Sequence, residues 1–148
     1  MTPTTHRLLS TRVLLICAAL AAIHLLLHTM TVPALTALAP LSPPAYGLVA
    51  GVHSFSPFLA RRITDTPGTA SLTSAFAALF VAVTTPAGVV AVIPLLIAGG
   101  TVDCCVRGGR GTSKIVERRY VFAALLAAVL LFAVGLIVFS PEHLTPTS

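Results

Sequence analysis

The sequence predicts an all-α protein, a polytopic bundle of about five transmembrane helices with a cytoplasmic N-terminus. Three observations carry that expectation. Hydrophobic residues make up 56% of the 148 and charged residues 9%, with a mean hydropathy of +0.98. A water-soluble domain carries roughly 25% charged residues, so a surface this poor in charge would aggregate in water. The apolar residues fall into runs close to the roughly 17–25 residues that a bilayer crossing needs. The nine Lys and Arg cluster between those runs, where they orient membrane helices. Residues 1–148 are read as one transmembrane domain.

The first run, residues 13–31, follows Arg7 and Arg12. Ala37-Leu38-Ala39 has the look of a signal-peptide cleavage site, but Pro40 would follow the cut and disfavour it. The run is also long enough to span, so a retained helix is expected. Residues 32–44 carry Pro33, Pro40, Pro43 and Pro44, which predict a loop, because proline lacks the donor that a helix interior uses. The second run, 45–60, is short and contains Gly47, Gly51, His53, Ser54, Ser56 and Pro57; its polarity suits the inside of a bundle. It is expected to stop at Arg61-Arg62. Asp65 or Thr66 is then placed to cap a third helix, 69–84, with Pro67 at its start. Thr85-Pro86-Ala87-Gly88 predicts a tight turn into a fourth helix, 89–106, kinked at Pro94. A basic, glycine-rich loop leads to the fifth and most uniformly apolar run, 120–140. With five spans, all nine basic residues fall on one side, which the positive-inside bias makes the cytoplasm. The expected location is the cell (inner or plasma) membrane, multi-pass.

Several classes of function are set aside. The net charge of +5 is not accompanied by aromatic residues interleaved with basic ones, as base stacking needs, so no nucleic-acid partner is expected. No P-loop, GxSxG or HExxH occurs; no enzymatic activity and no cofactor are expected, and active transport would need an outside ATPase. Cys17, Cys104 and Cys105 show no CxxC spacing, and the adjacent pair is strained as a disulfide, so free thiols are expected.

Two kinds of intramembrane feature stand out. Ala18 and Ala22, and Gly47 and Gly51, are small residues four apart, a spacing that lets helix backbones approach closely in lipid. His24, His28 and His53 lie inside predicted spans, where ionisable groups are expensive and functional by default. His24 and His28 share one helix face, about 120° from the Ala18/Ala22 stripe on a helical wheel. Counted from the outer ends, His24 and His53 reach similar depths of roughly 10–12 Å. Hydrogen-bonded packing, an organic-ligand pocket, and metal or haem ligation all remain open for the three. Asp103, one turn before Arg107, is expected to form an i,i+4 ion pair with it.

Pro43-Pro44-Ala45-Tyr46-Gly47-Leu48-Val49-Ala50-Gly51, then Pro57 and Leu59-Ala60, then Pro67-Gly68-Thr69-Ala70-Ser71-Leu72, and finally Gly99-Gly100-Thr101-Val102-Asp103 together resemble part of the substrate-binding (S) components of energy-coupling factor (ECF) vitamin transporters. The likeness is to the hydroxymethylpyrimidine/thiamine-precursor type and covers under half the chain. Ala18-Ala19-Leu20-Ala21-Ala22 is similar to the docking pattern on the first helix of such proteins. The family has six helices where five are counted here, and Trp is absent. The resemblance implies a subunit that captures a vitamin or vitamin precursor from outside. It would dock on a transmembrane coupling subunit driven by ABC ATPase subunits. The small molecule would enter past residues 32–44 into a pocket of His24, His28, Tyr46 and His53. Ala18 and Ala22, with Gly47 and Gly51, would provide docking faces. The alternatives are a non-catalytic helical membrane subunit stabilising a larger complex, and a haem- or metal-binding membrane protein.

Overall fold

In a computed structural model, residues 10–41, 51–84, 88–106 and 113–139 are described. Among them are five α-helices and no strand: α1 (Thr11–Leu41), α2 (Phe55–Thr64), α3 (Thr69–Thr84), α4 (Gly88–Cys105) and α5 (Ser113–Phe139). The stretch Thr11–Leu38 is long and apolar enough to cross a membrane; Thr69–Thr84 and Val92–Cys105 are apolar but shorter.

The prolines do not end α1 where the sequence suggests. The helix runs through Pro33 and Pro40 to Leu41, ten residues past the expected stop at 31. Proline removes one donor and crowds one carbonyl, for Pro33 that of Thr29, and the helix carries that loss through to Leu41. Thr31 donates to the Leu27 carbonyl at 2.8 Å, and Thr36 Oγ1 lies 2.9 Å from the Pro33 carbonyl.

α2 departs from its expected bounds at both ends. A turn at residues 53–54 breaks the expected run 45–60, so α2 starts at Phe55, and it also passes its expected stop. It continues beyond Arg61-Arg62 to Thr64 and closes at Asp65, whose left-handed backbone (φ 45°) lets its N–H reach the Arg61 carbonyl at 3.1 Å. Asp65 is therefore a C-terminal cap, and neither it nor Thr66 provides the N-terminal side-chain cap of α3. The cap comes from α4. Asp103 Oδ1 accepts from the Gly68 N–H at 3.0 Å and Oδ2 from the Ser71 N–H at 2.7 Å. A carboxylate satisfies the unpaired first-turn donors and complements the positive end of the helix dipole. α3 itself spans the expected residues, and α4 lies one residue from them at each end. α5 starts seven residues early, at Ser113.

Helix α3 is the centre of the bundle and packs on α1, α2 and α4, with α5 against α4. Its buried residues are small: Thr69, Ala70, Thr73, Ser74, Ala77, Ala78 and Val81. Small residues let neighbouring backbones come close. The tightest approach is at Gly99 of α4. A Cβ there would lie 2.7 Å from Ser74 Cβ and 2.8 Å from the Ala70 carbonyl oxygen, so glycine is required. One core cluster joins Ala21, Ala77, Ala78, Val81 and Leu95, and a second joins Ala70, Val102, Val106 and Ala123.

The contacts define an up-and-down order. The start of α1 lies by the end of α2, the start of α3 by the end of α4, and the start of α5 by α2, where the Phe58 and Tyr120 ring centroids are 6.3 Å apart. Arg12, Arg61, Arg62 and the first turns of α5 with Lys114, Arg118 and Arg119 thus share one end of the bundle, termed the basic end. The thiols of Cys17, Cys104 and Cys105 are free.

Candidate functional site

The inward face of α1 is fixed by helical spacing. Cys17, Leu20, Ala21 and His24 are buried, at positions i, i+3, i+4 and i+7. His28 and Thr31 continue the same stripe one and two turns on. His24 is 1% exposed and stands at the middle of the Thr11–Leu38 stretch. It lies deeper along its helix than the sequence suggests, because α1 does not end at Thr31.

The chain places His53 opposite these two, in the turn that leads into α2. The His24 and His28 rings are nearly parallel, 11° apart in plane, with centroids separated by 6.4 Å. The His53 ring stands across both, 5.4 Å from each centroid and at 73° and 82° to the two planes. The three imidazoles therefore form one cluster. Thr31 Oγ1 and His53 Nε2 are 2.9 Å apart. The Thr31 hydroxyl also reaches the Leu27 and His28 carbonyls, and which partner donates in its bond to His53 depends on the His53 tautomer. In contrast, His24 Nδ1 is buried and has no hydrogen-bond partner. A buried polar atom without a partner is destabilising.

The cluster does not converge on a metal. Among the described residues, no group of three His, Cys, Asp or Glu side chains is placed to hold a metal ion. Tyr46 and Gly47, assigned from the sequence to the pocket and to a docking face, lie outside the described residues. Ala18 is half-buried and Ala22 exposed, so this stripe turns away from the interior face of α1. Gly51 is exposed, and a Cβ added there would meet nothing within 4 Å, so no described neighbour requires a glycine at that point.

A second polar centre, at the basic end, escaped sequence reasoning. Arg61 is 1% exposed and is the largest fully buried side chain among the described residues. Its Nη2 donates to the Val106 carbonyl at 2.9 Å, just past the end of α4. Its Nε lies 3.8 Å from Asp103 Oδ1, and its Nη1 3.9 Å from Asp65 Oδ1. Asp103 thus engages Arg61 and the start of α3. Arg107, its partner by sequence spacing, lies outside the described residues. Arg62 is exposed, and its guanidinium carbon stands 5.8 Å from the Tyr120 ring centroid. One signal pointed to this centre. Asp103 is the acidic residue inside an apolar run, and a buried carboxylate needs a cation or several donors.

Comparison with family models, with curated proteins and with solved structures finds no match for this chain.

Proposed function

We propose that the chain is a multi-pass protein of the cell membrane that crosses the bilayer five times. We further propose that it serves as the substrate-binding subunit of an ECF-type transporter for a vitamin or vitamin precursor. The observation that carries the reading is the imidazole cluster of His24, His28 and His53 with the unpartnered Nδ1 of His24. Ionisable groups gathered inside a lipid-facing bundle are expected at solute pathways.

The outer surface supports lipid as the solvent. Leu15, Leu26, Met30, Val83, Phe122, Leu125, Val129 and Phe132 project outward, each more than half exposed. Exposed apolar area on this scale marks a membrane or partner surface. At 1.5 Å per residue, α1 and α5 are about 46 and 40 Å long, longer than the hydrocarbon core of about 30 Å. α3 and α4, at about 24 and 27 Å, cover most of it; α2, with 10 residues and about 15 Å long, covers half. The basic end then faces the cytoplasm, and solute reaches the cluster from the opposite side. The outward Ala18/Ala22 face is available to a transmembrane coupling subunit, itself driven by ABC ATPase subunits.

The test is a calorimetric titration of the detergent-purified protein with hydroxymethylpyrimidine and with thiamine. Binding by the parent is expected. His53→Leu should weaken it at least tenfold, about 1.4 kcal/mol, at undiminished membrane yield. Failure of the parent to bind either compound overturns the substrate reading. Unchanged affinity in His53→Leu leaves the histidines as packing residues.

A further inference from the structure

A cleft of about 280 Å³ opens at the basic end between the start of α1 and the end of α2. Its lining is divided by chemistry. Ser10, Arg12, Thr64 and Thr66 are polar, whereas Val13, Ile16 and Ile63 are apolar. Arg12 is exposed and has no ion-pair partner among the described residues. Asp65, at the rim, directs Oδ1 toward Arg61 at 3.9 Å. The Thr64 and Thr66 hydroxyls are bonded to the Ala60 and Thr64 carbonyls, so the cleft offers the Arg12 cation and the Ser10 hydroxyl beside a hydrocarbon wall.

The surface of α1 continues that wall. Arg12 and Ile16 are one turn apart, and Ala19, Ile23, Leu26 and Met30 follow at helical spacing on the same face. Ala19 is exposed, and Ile23, Leu26 and Met30 are 56%, 63% and 80% exposed. A charged site at one end of an unbroken apolar track has the layout of a phospholipid: headgroup first, acyl chain after. Basic pockets at the cytoplasmic ends of membrane helices bind anionic headgroups in this way.

We infer that this cleft binds the phosphate of an anionic phospholipid, with the guanidinium of Arg12 on the phosphate and an acyl chain along Ile16, Ile23 and Met30. The inference rests on the membrane reading above. Arg12 contributes the charge, and Ser10 a hydroxyl. Ile63, 54% exposed, closes the side of the cleft against the first chain carbons.

Native mass spectrometry of the detergent-purified protein tests it, with phosphatidylglycerol, phosphatidylcholine and inorganic phosphate as separate titrants. Phosphatidylglycerol should bind, and phosphatidylcholine should bind markedly more weakly. Millimolar inorganic phosphate should fail to displace the lipid. Arg12→Gln should weaken phosphatidylglycerol binding about fivefold. Arg12→Lys should keep most of it, and Arg62→Gln, whose side chain does not line the cleft, should leave it unchanged. Equal binding of the two lipids, parent-like affinity in Arg12→Gln, or displacement by inorganic phosphate would overturn the site. Alkaline carbonate extraction of native membranes separates the two failures. Release of the parent chain sinks the membrane reading, whereas retention with any of those three results sinks the cleft alone.

Discussion

Replacing Arg61 by Met tests the buried polar centre that ties three helices together. The perturbation keeps the length and most of the apolar stem and removes the charge. One charge-assisted hydrogen bond is lost, from Nη2 to the Val106 carbonyl at 2.9 Å, with a contribution of about 1.5–3 kcal/mol. The Asp103 carboxylate, 13% exposed, also loses the cation 3.8 Å away. Removing one member of a buried pair destabilises by about 3–5 kcal/mol in all, because the other charge stays buried. At about 2–4 °C per kcal/mol for a chain near this size, the melting temperature should fall by roughly 6–20 °C. The neighbouring Arg62→Met removes an exposed cation over the Tyr120 ring, about 0.5–1 kcal/mol, and should lower it by only a few degrees. With Cys104 and Cys105 changed to Ser, the buried Cys17 thiol reports unfolding through a thiol-reactive dye in mild detergent. If Arg61→Met melts within 2 °C of Arg62→Met, Arg61 is not the tie that its burial implies.

Two further outcomes follow from the packing. Gly99→Ala should destabilise by about 1–3 kcal/mol, because its Cβ would overlap Ser74 and crowd the Ala70 carbonyl; Ser74→Gly in the same chain should recover part of the loss, read by the same dye. Ala18→Leu with Ala22→Leu adds bulk to an outward face. It should leave the chain inserted but reduce recovery of a coupling subunit in pull-down from native membranes. Undiminished recovery removes this face as the docking surface.

Much of the helical layout is legible in the sequence because strong punctuation surrounds it. Pro67-Gly68 marks the start of α3 and Thr85-Pro86 its end, and the expected 69–84 is the observed helix. The pairing of His24 with His28 is also readable, from one i,i+4 spacing; the matching depth with His53 is not, because α1 runs on to Leu41 and His53 sits in the turn before α2. The errors share a cause: local rules stood in for tertiary context. Pro33 reads as a breaker when only backbone donors are counted, yet α1 runs through it to Leu41. Asp103 reads as the partner of Arg107 because sequence spacing is the geometry available. Its partners, Gly68, Ser71 and Arg61, lie 32 to 42 residues away. Arg61 and Arg62 look equivalent as a basic pair, yet adjacent helical positions point about 100° apart. α2 therefore buries one and exposes the other.

The central claim is a five-span bundle with its basic end in the cytoplasm, and residue accessibility across the membrane tests it most directly. With Cys17, Cys104 and Cys105 changed to Ser, single cysteines are introduced at Leu41, 79% exposed at the end of α1, and at Lys114, exposed in the first turn of α5. A membrane-impermeant thiol reagent applied to intact cells should label position 41 and leave 114 unlabelled until the membrane is permeabilised. Labelling of 114 in intact cells, alone or together with 41, would contradict the five-span topology.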